Sequence, residues 1–118
     1  MTTTPHPGPL AGLRVLELAQ IMAGPTCGMM LADMGADVLK VEKLPGGDDA
    51  RGYREPRING VSAPFLVLNR NKRGMALDLK NPNVDLIFAP GSDISRVFLE
   101  ARPSMPVSEV QNTTSPVS

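Results

Sequence analysis

The stretch AQIMAGPTCG, residues 19–28, follows a short apolar run and could present backbone N–H groups to an anion at the start of a helix. Its glycines match neither the GxGxxG pattern that holds a pyrophosphate nor the GxxxxGK phosphate loop. The alternative is a tight turn that only packs the following helix onto a sheet. The residues alone support a ligand site and a packing turn about equally.

A carboxylate and an ammonium, Glu42 and Lys43, stand side by side at the end of a second apolar run. In dinucleotide-binding folds an acidic residue at this place binds a ribose hydroxyl. The neighbouring lysine could then meet a base or a phosphate. The alternative, which the residues alone favour, is a solvated strand end.

Six basic residues fall within a span of 23 positions, and together they could bind phosphates as charge-assisted donors. They are Arg51, Arg54, Arg57, Arg70, Lys72 and Arg73. The alternative is a solvated loop whose cations pair with Asp48, Asp49 and Glu55. Only Tyr53 and Phe65 lie nearby as stacking aromatics, and the formal net charge is zero. The sequence therefore predicts no nucleic-acid partner.

His6 and Cys27 are the only histidine and the only cysteine, so we expect neither a metal site nor a Cys–His nucleophile. We expect Cys27 to be a buried structural residue in a reducing compartment. No run approaches the roughly 20 apolar residues of a membrane span, and no secretory signal is evident. The sequence thus predicts a cytoplasmic protein without a membrane partner.

The elements that would position these residues alternate between strand and helix. Residues 13–18, LRVLEL, predict a strand that is buried on both faces. A helix should follow, with Pro25 in its first turn and Gly35 in a left-handed cap. Residues 36–42 predict a second strand, which gives a right-handed parallel crossover unit.

The rest of the chain is less regular. A polar loop covers residues 43–60, and FLVLN at 65–69 fits a short helix or a strand. Residues 73–79 alternate apolar and polar side chains and predict a third strand. Residues 1–9 read as a disordered leader, and residues 83–118, rich in Pro and Ser, read as an unrelated or disordered tail. The fold class is α/β, and residues 10–82 are its folded part.

A series of segments between Pro9 and Pro82 resembles the N-terminus of class III CoA transferases. This family includes formyl-CoA transferase, carnitine CoA-transferase and α-methylacyl-CoA racemase. The segments are PLAGLRVLEL, AGP, LADMGADVLKVE, GGDDAR and NRNKRGMALDLK. The resemblance implies a Rossmann-like parallel βαβ portion of the family's fold, interlocked homodimers, and CoA or acyl-CoA as substrate without a prosthetic group.

The resemblance also implies roles for individual residues. Met22 matches a position that lines the acyl-CoA site and is often Gln in formyl-CoA transferases, which argues against a formyl or oxalyl substrate. Lys43 matches a basic residue that packs on the adenine ring as a cation over a π face. Leu77 and Lys80 match positions beside the nucleotide end of CoA.

Family members transfer CoA between carboxylic acids through an aspartate that forms an aspartyl-CoA intermediate. That aspartate lies beyond the end of this chain in the family, and the expected ENFxPG motif does not follow Pro82. We therefore expect a truncated fragment, incomplete in fold, without a catalytic residue and unable to form the interlocked dimer. The alternatives are a racemase relative and a stand-alone CoA- or nucleotide-binding module.

Overall fold

The structure, a computed structural model, describes residues 7–82. Its elements, in chain order, are β1 (Arg14–Glu17), α1 (Ala23–Asp33), β2 (Asp37–Lys43), a 3₁₀ turn (Asp49–Gly52), β3 (Arg57–Ile58), β4 (Val61–Ser62), α2 (Ala63–Leu68) and β5 (Arg73–Leu77). The predicted tail lies outside the described residues, as does most of the predicted leader.

A three-stranded parallel sheet organises the described residues, in the order β1-β2-β5. β2 lies in the middle, with Val15 of β1 opposite Val38 and Met75 of β5 opposite Val41. Five consecutive residues of β2 are buried, because it has a neighbouring strand on each side. The predicted α/β class with a parallel sheet is confirmed.

Helix α1 connects β1 to β2 and ends as its sequence predicts. Gly35 adopts a left-handed conformation with a φ of 98°. Its N–H donates to the carbonyl of Ala32 at 2.9 Å, and the N–H of Ala36 donates to the carbonyl of Leu31 at 3.1 Å. This pair of hydrogen bonds is a Schellman motif, which satisfies carbonyls at the helix end and turns the chain into β2.

Two small apolar clusters contribute to the core of residues 7–82. The first contains Ala32, Ala36 and Val38, with Leu10, Val15 and Leu31 packed against it. The second contains Ala50 and Phe65, with Val61 packed against it. Eleven of the large apolar side chains in the described part of the chain are exposed, among them Leu18, Met30 and Val67. Much apolar surface in residues 7–82 is therefore uncovered.

The first strand differs from its prediction at its carboxyl end. β1 stops at Glu17, and Leu18, expected inside the sheet, is 55% exposed. Glu17 is the buried residue, with 6% of its surface exposed, because two lysines surround its carboxylate. The carboxyl end of β1 thus buries a charged side chain and exposes the apolar one that follows it.

The ambiguous FLVLN segment forms most of helix α2. The Ser62 hydroxyl caps this helix by accepting a hydrogen bond of 3.4 Å from the N–H of Phe65, and Pro64 follows in the first turn. The third predicted strand is confirmed as β5, although it ends at Leu77 rather than at residue 79.

A short hairpin, β3–β4, precedes α2 and was not expected from the sequence. Asn59 and Gly60 form its turn with φ values of 50° and 80°. Two successive positive φ values at an Asn-Gly pair match a tight hairpin turn. Ile58 then lies opposite Val61, and the guanidinium of Arg57 donates to the Gly60 carbonyl across the turn.

Candidate CoA-binding edge

The carboxyl ends of the three parallel strands bring the four sequence-predicted site residues to one edge of the sheet. Lys43 and Leu77 end β2 and β5 and face each other in the strand register. The N–H of Leu44 donates to the Leu77 carbonyl at 2.9 Å and extends this pairing. Met22 follows β1 and Lys80 follows β5, so both lie beyond the same edge. Ligands of parallel α/β sheets bind at this edge.

The ammonium of Lys43 lies 2.6 Å from Oδ1 of Asp49, in the 3₁₀ turn that follows β2. The two side chains are 38% and 59% exposed, so water screens this ion pair. Lys80 is exposed, and its backbone N–H donates to the carboxylate of Asp78 at 3.1 Å. The described edge therefore carries two solvent-accessible lysines, each near one carboxylate.

Met22 stands at one side of an open groove of about 510 Å³. The groove is lined by Met22, Thr26, Pro56, Ala63, Pro64, Val67 and Leu68. None of these side chains is charged, and Met22 itself is 64% exposed. The surface beside the first loop is thus apolar, in contrast to the lysine-bearing strand ends.

The loop before Met22 contains a strained residue, Ile21, with a φ of 70°. A hydrogen bond of 3.1 Å from the N–H of Met22 to the Gln20 carbonyl closes a γ-turn around Ile21. Positive φ is rare for a β-branched residue, and such a backbone costs about 1–3 kcal/mol. The N–H of Ile21 donates to Oδ1 of Asp48 at 3.0 Å, and the N–H of Ala50 donates to the same oxygen at 2.9 Å.

Glu42 is neither a ribose ligand nor a solvated strand end, and both sequence interpretations of it are wrong. The residue is 2% exposed, and its carboxylate accepts hydrogen bonds of 2.6 and 2.7 Å from Nε and Nη2 of Arg51. It also accepts the N–H of Asp48 at 2.8 Å. The loop folds back over the strand end at Gly47, where a Cβ would lie 2.5 Å from the Glu42 carboxylate.

Behind the edge lies a buried charge network of Glu17, Lys40, Asp48 and Lys72. The side chain of Lys40 is completely buried, and its Nζ lies 2.9 Å from Glu17 Oε1 and 2.8 Å from Asp48 Oδ2. The carbonyl of Ala19 accepts a third contact at 2.9 Å. Two hydrogen bonds, to Glu17 and to the Ala19 carbonyl, and the ion pair with Asp48 thus compensate the buried charge of Lys40.

Lys72 completes the network from the other side of Glu17. Its Nζ lies 2.7 Å from Glu17 Oε2, 2.8 Å from the Pro25 carbonyl and 2.9 Å from Asn69 Oδ1. Burial lowers the pKa of Lys72, although the Glu17 carboxylate opposes this shift. Two carboxylates and two ammoniums thus form a neutral set.

The pKa of Asp48 lies below its ordinary value. Burial alone would raise this pKa, but the hydrogen bonds and charge of Lys40 and the N–H groups of Ala50 and Ile21 together outweigh it.

The buried charge network was not predicted from the sequence. The available signal was the presence of Glu17 and Lys40 within apolar strands, where a charge needs a partner.

Most of the six basic residues between Arg51 and Arg73 are paired, as the alternative to phosphate binding predicted. Their partners are not the predicted Asp48, Asp49 and Glu55. Arg51 contacts Glu42, Lys72 contacts Glu17, and Arg57 donates to backbone carbonyls. Arg70 pairs with Asp33 and Arg73 with Asp37, each at 2.7 Å. These last pairs lie near the amino ends of β2 and β5, so the six cations do not form one phosphate site.

Cys27 is exposed, contrary to expectation, because α1 buries Pro25, Gly28 and Ala32 instead. Among residues 7–82, no group of three His, Cys, Asp or Glu side chains is arranged to hold a metal ion. None of the helices in that range is long and apolar enough to cross a membrane.

Comparison with known proteins assigns the chain to one family. The model of CoA-transferase family III matches residues 10–89. Mouse succinyl-CoA:glutarate CoA-transferase is 42% identical over 92 residues, which are 78% of this chain and 21% of that protein. The succinate–glutarate CoA-transferase of Agrobacterium fabrum is 49% identical over 80 residues, 63% of this chain and 20% of that protein.

A solved structure shares the fold. A CAIB/BAIF family protein from Brucella suis superimposes with a TM-score of 0.60 at 43% identity, over 66% of this chain and 21% of the other. The chain spans about a fifth of the length of the curated relatives that it matches. With a family match over more than half of its residues, the chain belongs to CoA-transferase family III.

Proposed function

We propose that residues 10–82 supply the CoA-binding edge of an enzyme that transfers CoA between two carboxylic acids. One observation carries this proposal: the strand register sets Lys43 beside Leu77, at the edge beyond which Met22 and Lys80 also lie. An edge with two accessible lysines beside an apolar groove suits a ligand with a phosphorylated nucleotide at one end and an acyl thioester at the other.

The lysines would hold the nucleotide end. Lys43 would place its ammonium over the face of the adenine ring, and Lys80 would attract the phosphates. For this, Lys43 must leave Asp49, a screened pair worth about 0.2–1 kcal/mol. Met22 and the groove would border the acyl end. The names of the matched relatives support a transferase rather than a racemase.

The chemical step would need a carboxylate from outside residues 7–82. An aspartate oxygen attacks the thioester carbonyl, the C–S bond breaks, and CoA leaves as a thiolate from a mixed anhydride. The thiolate then attacks the aspartyl carbonyl, which gives aspartyl-CoA and the free acid. The carboxylate of the acceptor acid then attacks aspartyl-CoA and releases the CoA thiolate from a second mixed anhydride. The thiolate attacks the acyl carbonyl of the acceptor, which gives the new acyl-CoA and the free aspartate. Asp78, the acidic residue after β5, accepts the N–H of Lys80 and lies in no catalytic motif of the family.

A calorimetric titration of the 118-residue chain with CoA tests the binding half of the proposal. Lys43→Glu should weaken CoA binding about tenfold or more, because it replaces the cation and places a carboxylate beside Asp49. The matched control is Arg70→Glu, a charge reversal near the amino ends of the strands, which should leave CoA affinity unchanged. Equal effects of the two variants, or no CoA binding by the unmodified chain, would contradict the proposed site.

An isotope-exchange assay with succinyl-CoA and labelled succinate tests the chemical half. We expect the chain to bind CoA without exchange, because no carboxylate among residues 7–82 lies in a sequence that matches the family's catalytic motif. Exchange that disappears with Asp78→Asn would instead assign catalysis to Asp78. Epimerisation of a 2-methylacyl-CoA would favour the racemase alternative.

A further inference from the structure

We propose that Asp48 is a positioning residue, whose buried carboxylate holds the strained γ-turn at Ile21 and thereby sets Met22 at the groove. This inference extends the proposed function, and it depends on that function for the identity of the ligand, an acyl-CoA. It depends on three observations: the positive φ of Ile21, the two backbone N–H groups on one Asp48 oxygen, and the ion pair of its other oxygen with Lys40.

Ile21 does not hold its own conformation. A β-branched side chain disfavours the left-handed region, so the loop would relax if only the γ-turn hydrogen bond restrained it. The N–H of Ile21 is directed to Oδ1 of Asp48, across 27 residues of sequence. This long-range hydrogen bond ties the first loop to the segment that follows β2.

Asp48 is well placed to act as the fixed point. Its side chain is buried, and the Ala50 N–H and the Lys40 ammonium restrain its two oxygens. Lys40 lies in the central strand, so the sheet itself fixes the position of Asp48. The chain of contacts therefore runs from β2 through Lys40 and Asp48 to Ile21.

Met22 directly follows Ile21 and is the residue before α1, with φ −129° and ψ −66°. No side chain caps this helix, and the γ-turn immediately precedes it, so the turn sets the direction in which the loop enters the helix. A relaxed Ile21 would move Met22 away from Thr26 and the groove wall. Asp48 thus controls the acyl side of the site without touching the ligand.

The test measures amide hydrogen exchange by NMR on the 118-residue chain. Asp48→Ala should speed exchange at Ile21 and Met22 by about tenfold or more, while Leu39 and Val41 in β2 stay protected. Adding Ile21→Gly should restore protection at Met22, because glycine adopts positive φ without strain. Asp33→Ala, a carboxylate near the amino edge, is the control and should leave the loop unchanged.

Loss of protection in β2 together with the loop, without rescue by Ile21→Gly, would mean that Asp48 is only the counter-charge of Lys40 and would overturn the proposal. If Asp48→Ala does not fold, the double variant Lys40→Met/Asp48→Asn takes its place. It removes both charges but keeps an acceptor oxygen at residue 48, which the Ala50 N–H and the backbone bond to Glu42 still hold in place, so Ile21 should remain protected. Fast exchange at Ile21 there would also overturn the proposal.

CoA titration separates this inference from the proposed function. Asp48→Ala should weaken acetyl-CoA binding about five- to tenfold, and Ile21→Gly should recover most of that loss. If amide exchange behaves as expected but neither the unmodified chain nor the Asp48→Ala variant binds acetyl-CoA, the proposed function fails and the role of Asp48 in holding the turn stands. If acetyl-CoA binds equally well to the unmodified chain and to Asp48→Ala, the turn does not affect ligand binding, and the proposal that Asp48 positions Met22 for the ligand is overturned.

Discussion

Glu42 and Arg51 form a two-point salt bridge that is sealed from water, with N–O distances of 2.6 and 2.7 Å. The guanidinium also lies 3.9 Å from the centroid of the Phe65 ring. Only a planar fork can contact both carboxylate oxygens and stack on a ring at once. This pair joins the end of β2 to α2 and so fixes the loop between them.

Arg51→Lys should lower the free energy of unfolding by about 2–4 kcal/mol, because a lysine cannot satisfy both Glu42 oxygens in the same buried space. Urea unfolding followed by circular dichroism measures this change. Arg70→Lys is the matched control, since Arg70 also forms a two-point contact, with Asp33, but at the surface. It should change the stability much less than Arg51→Lys does, because water screens the surface pair. Similar losses in both variants would show that burial does not decide the strength of the pair.

Gly28 of α1 leaves room for the buried charge network. A Cβ at this position would lie 1.8 Å from Oε2 of Glu17 and 3.3 Å from Cε of Lys72. Gly28→Ala gains about 1 kcal/mol of helix propensity but must displace Glu17 from its lysines. We therefore expect a net loss of about 2–3 kcal/mol in unfolding experiments.

Gly52→Ala is the control for that substitution, because no atom lies within 4 Å of a Cβ built there. Its stability should stay within about 0.5 kcal/mol of the unmodified chain. A stabilised Gly28→Ala variant would mean that α1 can shift away from Glu17 at little cost.

Asp49→Asn should raise CoA affinity about two- to fivefold. The change removes the carboxylate that occupies Lys43 and that would repel the phosphates of the ligand. Isothermal titration compares this variant with Asp33→Asn, which removes a carboxylate near the other edge and should have no effect. Weaker binding by Asp49→Asn would indicate that Asp49 itself contacts the ligand.

Stability should fall in acid partly because of Asp48. Its pKa in the folded chain lies below the ordinary value of 3.8, so below that pH the unfolded chain binds a proton that the folded chain does not. The contribution is complete only well above pH 3.8 and is lost progressively as the pH falls through this value and then through the lowered pKa of the folded chain. Asp48→Asn should therefore flatten the pH dependence of unfolding below about pH 4. An unchanged slope would contradict the charged state of Asp48.

The regular elements were predictable because each has a local signal. Gly35 ends α1 and the apolar runs mark the three strands, so the parallel sheet followed from chain order. The hairpin at Asn59-Gly60 was missed although its turn residues are typical, because its strands contain only two residues each. Short pairs leave no periodicity to detect.

The charged interior was not predictable in the same way. Glu17, Lys40 and Lys72 are far apart in sequence, and only the register of the sheet and the packing of α1 bring them together. Glu42 was misread for the same reason, since its partner Arg51 reaches it through a folded loop. The candidate edge was predictable in position, because strand ends follow from strand order, but its pairing of Lys43 with Asp49 was not.

The neutrality of the buried network limits how this chain can evolve. Replacing one member, for example Lys72 alone, leaves an uncompensated charge and costs about 3–5 kcal/mol, a large share of the total stability of a small domain. Replacing Glu17 and Lys72 together removes one charge of each sign and avoids that penalty. Relatives should therefore keep or lose these charges in opposite pairs, and an alignment should show correlated changes at positions 17, 40, 48 and 72.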